Sequence, residues 1–219
     1  MSRQVLAVAV TGTVASILLS SWGESLERST EARSVPYGKS VTIDGNISAL
    51  EWVDADSVAF AVGDSVSATV ALKHDGSSLL AVFVFERESE VGMCFPEVFL
   101  DVNNDKGKNM LADDWWFHVS ASNCEARGAF DNYSRCSRSA DWDAARNYAT
   151  GDDPAPIDTI ELRIPFDKIG MQVGNVFGLA FRVEYQVRVA GIWHPTTSLW
   201  PSGATAGEPE TWQTMRIAN

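Results

Sequence analysis

The chain has 219 residues, 45% hydrophobic, 21% charged and 10% aromatic, which suits one ordinary domain around its own core and rules out disorder, collagen and coiled coil. Seventeen Lys plus Arg against twenty-nine Asp plus Glu leave a formal charge of −12, which repels phosphate backbones and anionic headgroups and argues against nucleic acid as a partner. Eight Trp are about three times average usage, and Trp serves both buried cores and flat binding platforms.

After Arg3 the run Val5 to Leu19 has no charged residue and reads as a secretory h-region, shorter than the roughly 20 apolar residues of a spanning helix. Ser21 and Gly23 place small residues where a signal peptidase inspects the chain, so cleavage is expected after Gly23; the alternative is an uncleaved anchor. The expected division is a signal segment over 1–23, a polar, aperiodic linker over 24–38 and one domain over 39–219. Export places the protein outside the cell, in the periplasm or on the cell surface, with membrane contact only if the first segment is retained.

Strand signals begin near Lys39. Ser40 to Ile43 is short and β-branched, Ser57 to Val62 is closed by Gly63-Asp64, and Ser65 to Lys73 alternates with Val66, Ala68, Val70 and Leu72 on one face. His74-Asp75-Gly76-Ser77 is a turn, and Leu79 to Phe85 is apolar enough for a central strand covered on both faces. Pro96 to Val102, Trp115 to Ala121, Thr159 to Ile164, Val176 to Val189 and Glu210 to Ile217 complete the strands. Helical signals are confined to single turns at Ala49 to Ala55 and Asp141 to Tyr148. Some nine closely spaced strands with almost no helix predict an all-β, antiparallel, two-sheet sandwich of jelly-roll type.

Export permits disulfides, and there are three cysteines. Cys124 and Cys136 enclose a short segment with Gly128 and Asp131-Asn132 as turn residues, so this pair is preferred; Cys94 joined to one of them is the alternative.

The stretch Val41-Thr42-Ile43-Asp44-Gly45, followed after five residues by Glu51-Trp52, resembles the opening of family 9 carbohydrate-binding modules and their DOMON-like relatives. Further similarities follow in order: Leu79 to Phe85 after its turn, Glu97-Val98-Phe99-Leu100-Asp101, Ile164-Pro165-Phe166, and Gly174-Asn175-Val176-Phe177-Gly178. The resemblance spans Ser40 to Ile217. It implies a non-catalytic sandwich that binds sugar ends or small glycans, associated with polysaccharide breakdown and often exported beside a glycoside hydrolase, with calcium frequently supporting its loops. A minority branch of the fold holds haem b, and the site, not the fold, decides between them.

Candidate site residues follow from chemistry. Asp101, Asn103 and Asp105 alternate as the first ligands of a calcium loop do, and Asp113 or Asp114 could complete a non-EF geometry. Lys106 stands where an EF-hand has glycine and Ala112 where it has Glu, so a solvated Asx turn is the competing reading. Sugar recognition needs flat apolar faces plus polar groups aimed at hydroxyls. Trp193 and Trp200 flank an expected loop, His194 to Leu199, and are the leading pair; Trp116 is a further candidate, while Trp52 and Trp212 are assigned to the core. Arg182, Glu184 and Arg188, evenly spaced on one strand, share a face, and Arg182 and Glu184 are offered as polar contacts. Haem would need axial ligands from among Met93, Met110, His118, His194 or Lys73. The adjacent acids Asp113-Asp114 and Asp152-Asp153 form no recognisable catalytic motif, so no catalytic residue is assigned.

Overall fold

The structure is a computed structural model that describes residues 32–48, 50–87, 92–128, 130, 136–138, 141–148 and 157–219. The expected signal segment and Asp152-Asp153 lie outside the described residues. Among the described residues no helix is long and apolar enough to cross a membrane.

Among the described residues twelve strands form two sheets. They are β1 (Arg33–Val35), β2 (Asp56–Val62), β3 (Val66–His74), β4 (Ser78–Arg87), β5 (Gly92–Asp101), β6 (Trp115–His118), β7 (Cys124–Arg127), β8 (Asp143–Asn147), β9 (Ile157–Pro165), β10 (Val176–Val189), β11 (Ile192–Trp200) and β12 (Gln213–Ile217). One sheet runs β1-β12-β10-β5-β6-β7, with β11 pairing the far half of β10; the other runs β2-β3-β4-β9-β8. All pairings between these strands are antiparallel except β1 with β12. A four-residue helix, α1 (Phe166–Ile169), follows β9. The all-β sandwich expected from the strand spacing is the architecture found.

The alternation within each strand sets the layers. Val66, Ala68, Val70 and Leu72 of β3, Leu79, Phe83 and Phe85 of β4, and Leu179, Phe181 and Val183 of β10 point between the sheets and are buried. Phe83 stacks on Phe85 and meets Phe181 edge to face at 5.3 Å, joining the two layers. At one end of this layer a buried ion pair, Arg87 with Asp158 at 2.8 Å, lies near the buried free thiol of Cys94. Burial pushes that thiol up to about 12.

Central β4 is covered on both faces because residues 36–48 and 50–55 lie across the outer face of the five-stranded sheet, bonded to side chains of β3 and β9. Ser40 to Ile43, expected as a strand, is irregular there. Its hydrogen bonds go to side chains instead of a ladder: the Asp44 and Gly45 N–H groups donate to Glu161 Oε2 at 3.1 and 2.9 Å, and Arg163 donates to the Val41 carbonyl. Gly45 has φ 82°, and a Cβ there would meet the Arg146 carbonyl carbon at 2.6 Å. No larger residue fits that turn. Trp52 donates from Nε1 to Glu161 Oε1 at 3.1 Å and lies half-buried under the Lys73 ammonium, so it packs this outer face and is not in the core expected for it.

Three other expectations are corrected. The end of the linker, Arg33–Val35, is a strand beside β12. Asp143–Asn147, within the helical turn expected over Asp141 to Tyr148, pairs in register with β9 instead, with Ala144 packed against the inter-sheet core. His194 to Leu199 is not a loop but most of β11: Ala190 and Gly191, both at positive φ, make a two-residue hairpin turn, and β11 pairs β10 from Ile192 to Trp200. Pro195 is tolerated because β11 pairs on one side alone.

The disulfide joins Cys124 to Cys136, with Cα atoms 5.5 Å apart, as the spacing suggested.

Candidate functional site

The outer face of the seven-stranded sheet carries what the inner face excludes: charge. On β10 the even-numbered residues Arg182, Glu184, Gln186 and Arg188 point outward, and on β5 the outward residues facing them are Glu97, Phe95 and Met93. Glu97 is fully buried, and both its oxygens accept hydrogen bonds from Arg182 Nη1 at 2.8 Å. His118 of β6, its cross-strand neighbour, places Nδ1 3.1 Å from Glu97 Oε1. Arg182 Nη2 lies 3.5 Å from Glu184 Oε2, and Gln186 donates to Glu184 Oε1. Burial acts to raise the Glu97 carboxyl, but the His118 hydrogen bond and the Arg182 guanidinium outweigh it and hold it below the usual carboxylate range.

Aromatic rings wall this polar cluster. Phe95 stacks on His118 with centroids 6.2 Å apart, and Trp116 lies at 5.9 Å on the other flank. Phe130 sits edge-on to Trp116 at 5.0 Å and carries the Arg182 guanidinium 5.4 Å above its ring. Beneath them Phe99, Met110, Trp116, Ala126, Ala180 and Trp212 form a second apolar cluster, covered by the loops around 103–114 and 201–212. The site is therefore a fixed set of hydrogen-bonding groups on a rigid sheet, bounded by ring faces.

The expected aromatic pair does not form. Trp193 and Trp200 are seven positions apart on one strand, so they face opposite ways. Trp200 turns inward, stacks on Phe181 at 5.5 Å and packs against the inter-sheet core. Trp193 turns outward, 43% exposed, with Arg188 5.8 Å from its ring. Trp116 is completely buried, so it can shape the site but offers no open face. Of the offered ligand contacts, Arg182 and Glu184 stand together in the outer-face cluster. Sequence reasoning missed Glu97, Phe95, Gln186 and Phe130, and offered His118 as a haem ligand, not as a member of this cluster. A carboxylate in the apolar run Phe95 to Leu100 was a visible signal; which cation would meet it depended on register.

The acidic loop is mostly closed on itself. Asp101 accepts from the Asp105 and Lys106 N–H groups, Asn103 Oδ1 from Asp105 N–H, and Asp105 Oδ1 from Gly107 N–H, all near 3.1 Å. This is Asx-turn geometry. Asp113 is half-buried at its edge. Buried Asp114 accepts from Leu111 N–H through Oδ2 at 2.6 Å, while its Oδ1 has no donor. Burial, helped by the carboxylates of Asp101, Asp113 and Asp105, raises Asp114 to about 7. Among the described residues no three His, Cys, Asp or Glu side chains converge as a metal set. The offered haem ligands do not converge either: Lys73 is bonded to Asp54 on the far sheet, His118 to Glu97, Met110 is in the second apolar cluster, and Met93 and His194 are exposed.

Two concavities lie away from this cluster. One of about 580 Å³ is lined by Val41, Asn123, Trp142 and Arg163 among others, and one of about 540 Å³ by Trp115, Arg127, Asp141 and Lys168 among others. Trp142 is buried, and the Trp115 ring is flanked by Arg127 and Lys168 at 5.2 and 5.1 Å, so neither presents an open aromatic face.

The chain has the fold of family 9 carbohydrate-binding modules. A family 9 module from Caldicellulosiruptor kristjanssonii in complex with cellotriose superposes with TM-score 0.62 over 86% of this chain and 94% of that one, at 17% identity. The same organism's module in complex with glucose gives 0.60 over 86% and 96%, at 18% identity. A candidate carbohydrate-binding protein from Bacteroides uniformis gives 0.50 over 85% and 99%, at 11% identity. No protein-family model matches the sequence, and no curated protein matches it either.

Proposed function

We propose that this is an exported, non-catalytic carbohydrate-binding module whose ligand sits on the outer face of the seven-stranded sheet, over Arg182, Glu184, Gln186 and Phe95. The observation that carries this reading is the buried Glu97 carboxylate, clamped by Arg182 and His118 and walled by aromatic rings. A buried charge network of this kind holds its donors and acceptors rigid, which is what orienting sugar hydroxyls requires, while ring edges and faces meet the C–H side of a pyranose. The two modules with bound glucose or cellotriose support the same class of ligand.

Glu97 is a poor general acid, because the His118 hydrogen bond and the Arg182 guanidinium hold it ionised; this favours binding over glycoside cleavage. The partner would be an exported glycoside hydrolase acting on the same polysaccharide. Calcium is proposed at the Asp101 to Asp114 loop, where Asp114 Oδ1 offers a buried oxygen without a donor and Asp101 carries a carboxylate beside it. The test is a glycan array followed by calorimetry on purified protein, with Arg182→Ala as the control. Loss of binding in that variant supports the site, and unchanged binding discards it.

A further inference from the structure

The cluster around Arg182 is one end of a longer strip. Along the outer face of β10, Arg182, Glu184, Gln186 and Arg188 recur at every second position, over roughly 20 Å at strand rise. Their cross-strand partners on β11 are Leu199, Thr197, Pro195 and Trp193, and on β5 Phe95 and Met93 lie beside Glu184 and Gln186. Cross-strand partners share a face. The result is a central row of hydrogen-bonding groups flanked by Leu199, Pro195 and Trp193 on one side, with Thr197 among them, and by Phe95 and Met93 beyond Glu97 on the other. It opens progressively: Arg182 and Glu184 are partly buried, whereas Pro195, Thr197 and Trp193 are exposed. At the far end stands the Trp193 indole, 43% exposed on a hairpin with the Arg188 guanidinium 5.8 Å from its ring.

We propose that this strip binds a linear oligosaccharide of several rings, with Trp193 as a distal stacking platform and the Arg182 cluster holding one terminal ring. This rests on the carbohydrate reading above and names its ligand class. Three features favour that ligand. The strip is longer than one pyranose. Its floor repeats polar groups while its flanks are mostly apolar, matching a chain with hydroxyl edges and C–H faces. Its charges balance, Glu97 and Glu184 against Arg182 and Arg188, so a neutral glycan is preferred to a uronate or sulfated chain.

The experiment is calorimetric titration with glucose and with cello-oligosaccharides of increasing length up to the pentasaccharide. Affinity is expected to rise about tenfold between glucose and the longest member, the gain of one added aromatic stacking contact. Trp193→Ala is expected to bring the ratio of pentasaccharide to glucose affinity close to one, and Trp193→Phe to restore part of it. Near-ultraviolet circular dichroism checks that the variants stay folded, which the exposure of Trp193 favours. Measurable glucose binding with no gain on lengthening, or a gain that survives Trp193→Ala, overturns the extended strip and leaves the single-ring site standing. Failure of every member of the series to bind overturns both.

Discussion

Removing the charge from Glu97 tests whether the outer-face cluster is a rigid, fully paired network. In Glu97→Gln one oxygen remains to accept, but an amide N–H₂ then faces Arg182 or His118, and the guanidinium loses the carboxylate charge behind its two contacts at 2.8 Å. Breaking one side of a buried ion pair costs about 3–5 kcal/mol. Arg182 retains some contact with water, its side chain being 14% exposed, so the lower end of that range, about 3 kcal/mol, is expected. For a domain of this size that lowers Tm by about 6–12 °C. The assay is urea unfolding of the wild type, Glu97→Gln, Arg182→Met and the double variant. Each single change should be costly, and the double variant should recover at least about 1.5 kcal/mol of the summed loss, because no uncompensated charge is left. The sign with pH follows: the Glu97 carboxyl is depressed in the folded state, so its stabilisation is present above the unfolded value, near 4.5, and lost as pH falls through the lower folded one. Additive single changes, each under about 0.5 kcal/mol, would refute a tightly coupled network.

Asp114 behaves in the opposite sense: its raised carboxyl contributes stability that is fully present below about pH 3.8 and lost as pH rises to about 7. In chelator, Asp114→Asn, which keeps an oxygen for Leu111 N–H, should flatten that loss in melting curves between pH 4 and 8; a parallel pH profile would show that Asp114 is ordinary. Calcium should raise the Tm of the wild type and leave that of Asp114→Asn unchanged, and equal shifts in both would remove the ion from this loop. Cys136→Ser opens a link spanning 12 positions and should cost about 3 kcal/mol under oxidising conditions, read by urea unfolding with the wild type in dithiothreitol as a match. Cys94, buried and with its thiol pushed up to about 12, should resist alkylation until the domain unfolds; fast labelling of native protein would contradict that burial. Phe83→Ala removes the ring that joins the two sheets and should cost about 3–5 kcal/mol.

What the sequence settled was whatever depends on neighbours along the chain. Alternation in Ser65 to Lys73 and the apolar run Leu79 to Phe85 gave β3 and β4, because period two and two-sided burial are local signatures. The short loop between Cys124 and Cys136 pointed to the disulfide, and the close spacing of strands with almost no helix pointed to the sandwich. What the tertiary structure decided was everything that depends on register. The hairpin turn at Ala190 and Gly191 made a strand of the stretch between two Trp, and the odd spacing of that pair sent one ring into the core and one to solvent. The same pairing set Arg182 opposite Glu97, 85 positions away in the chain, and completed a charge cluster from three strands. A single strand fixes which side chains share a face, but which face meets the core, and which distant charge stands opposite, is set only when the sheets close.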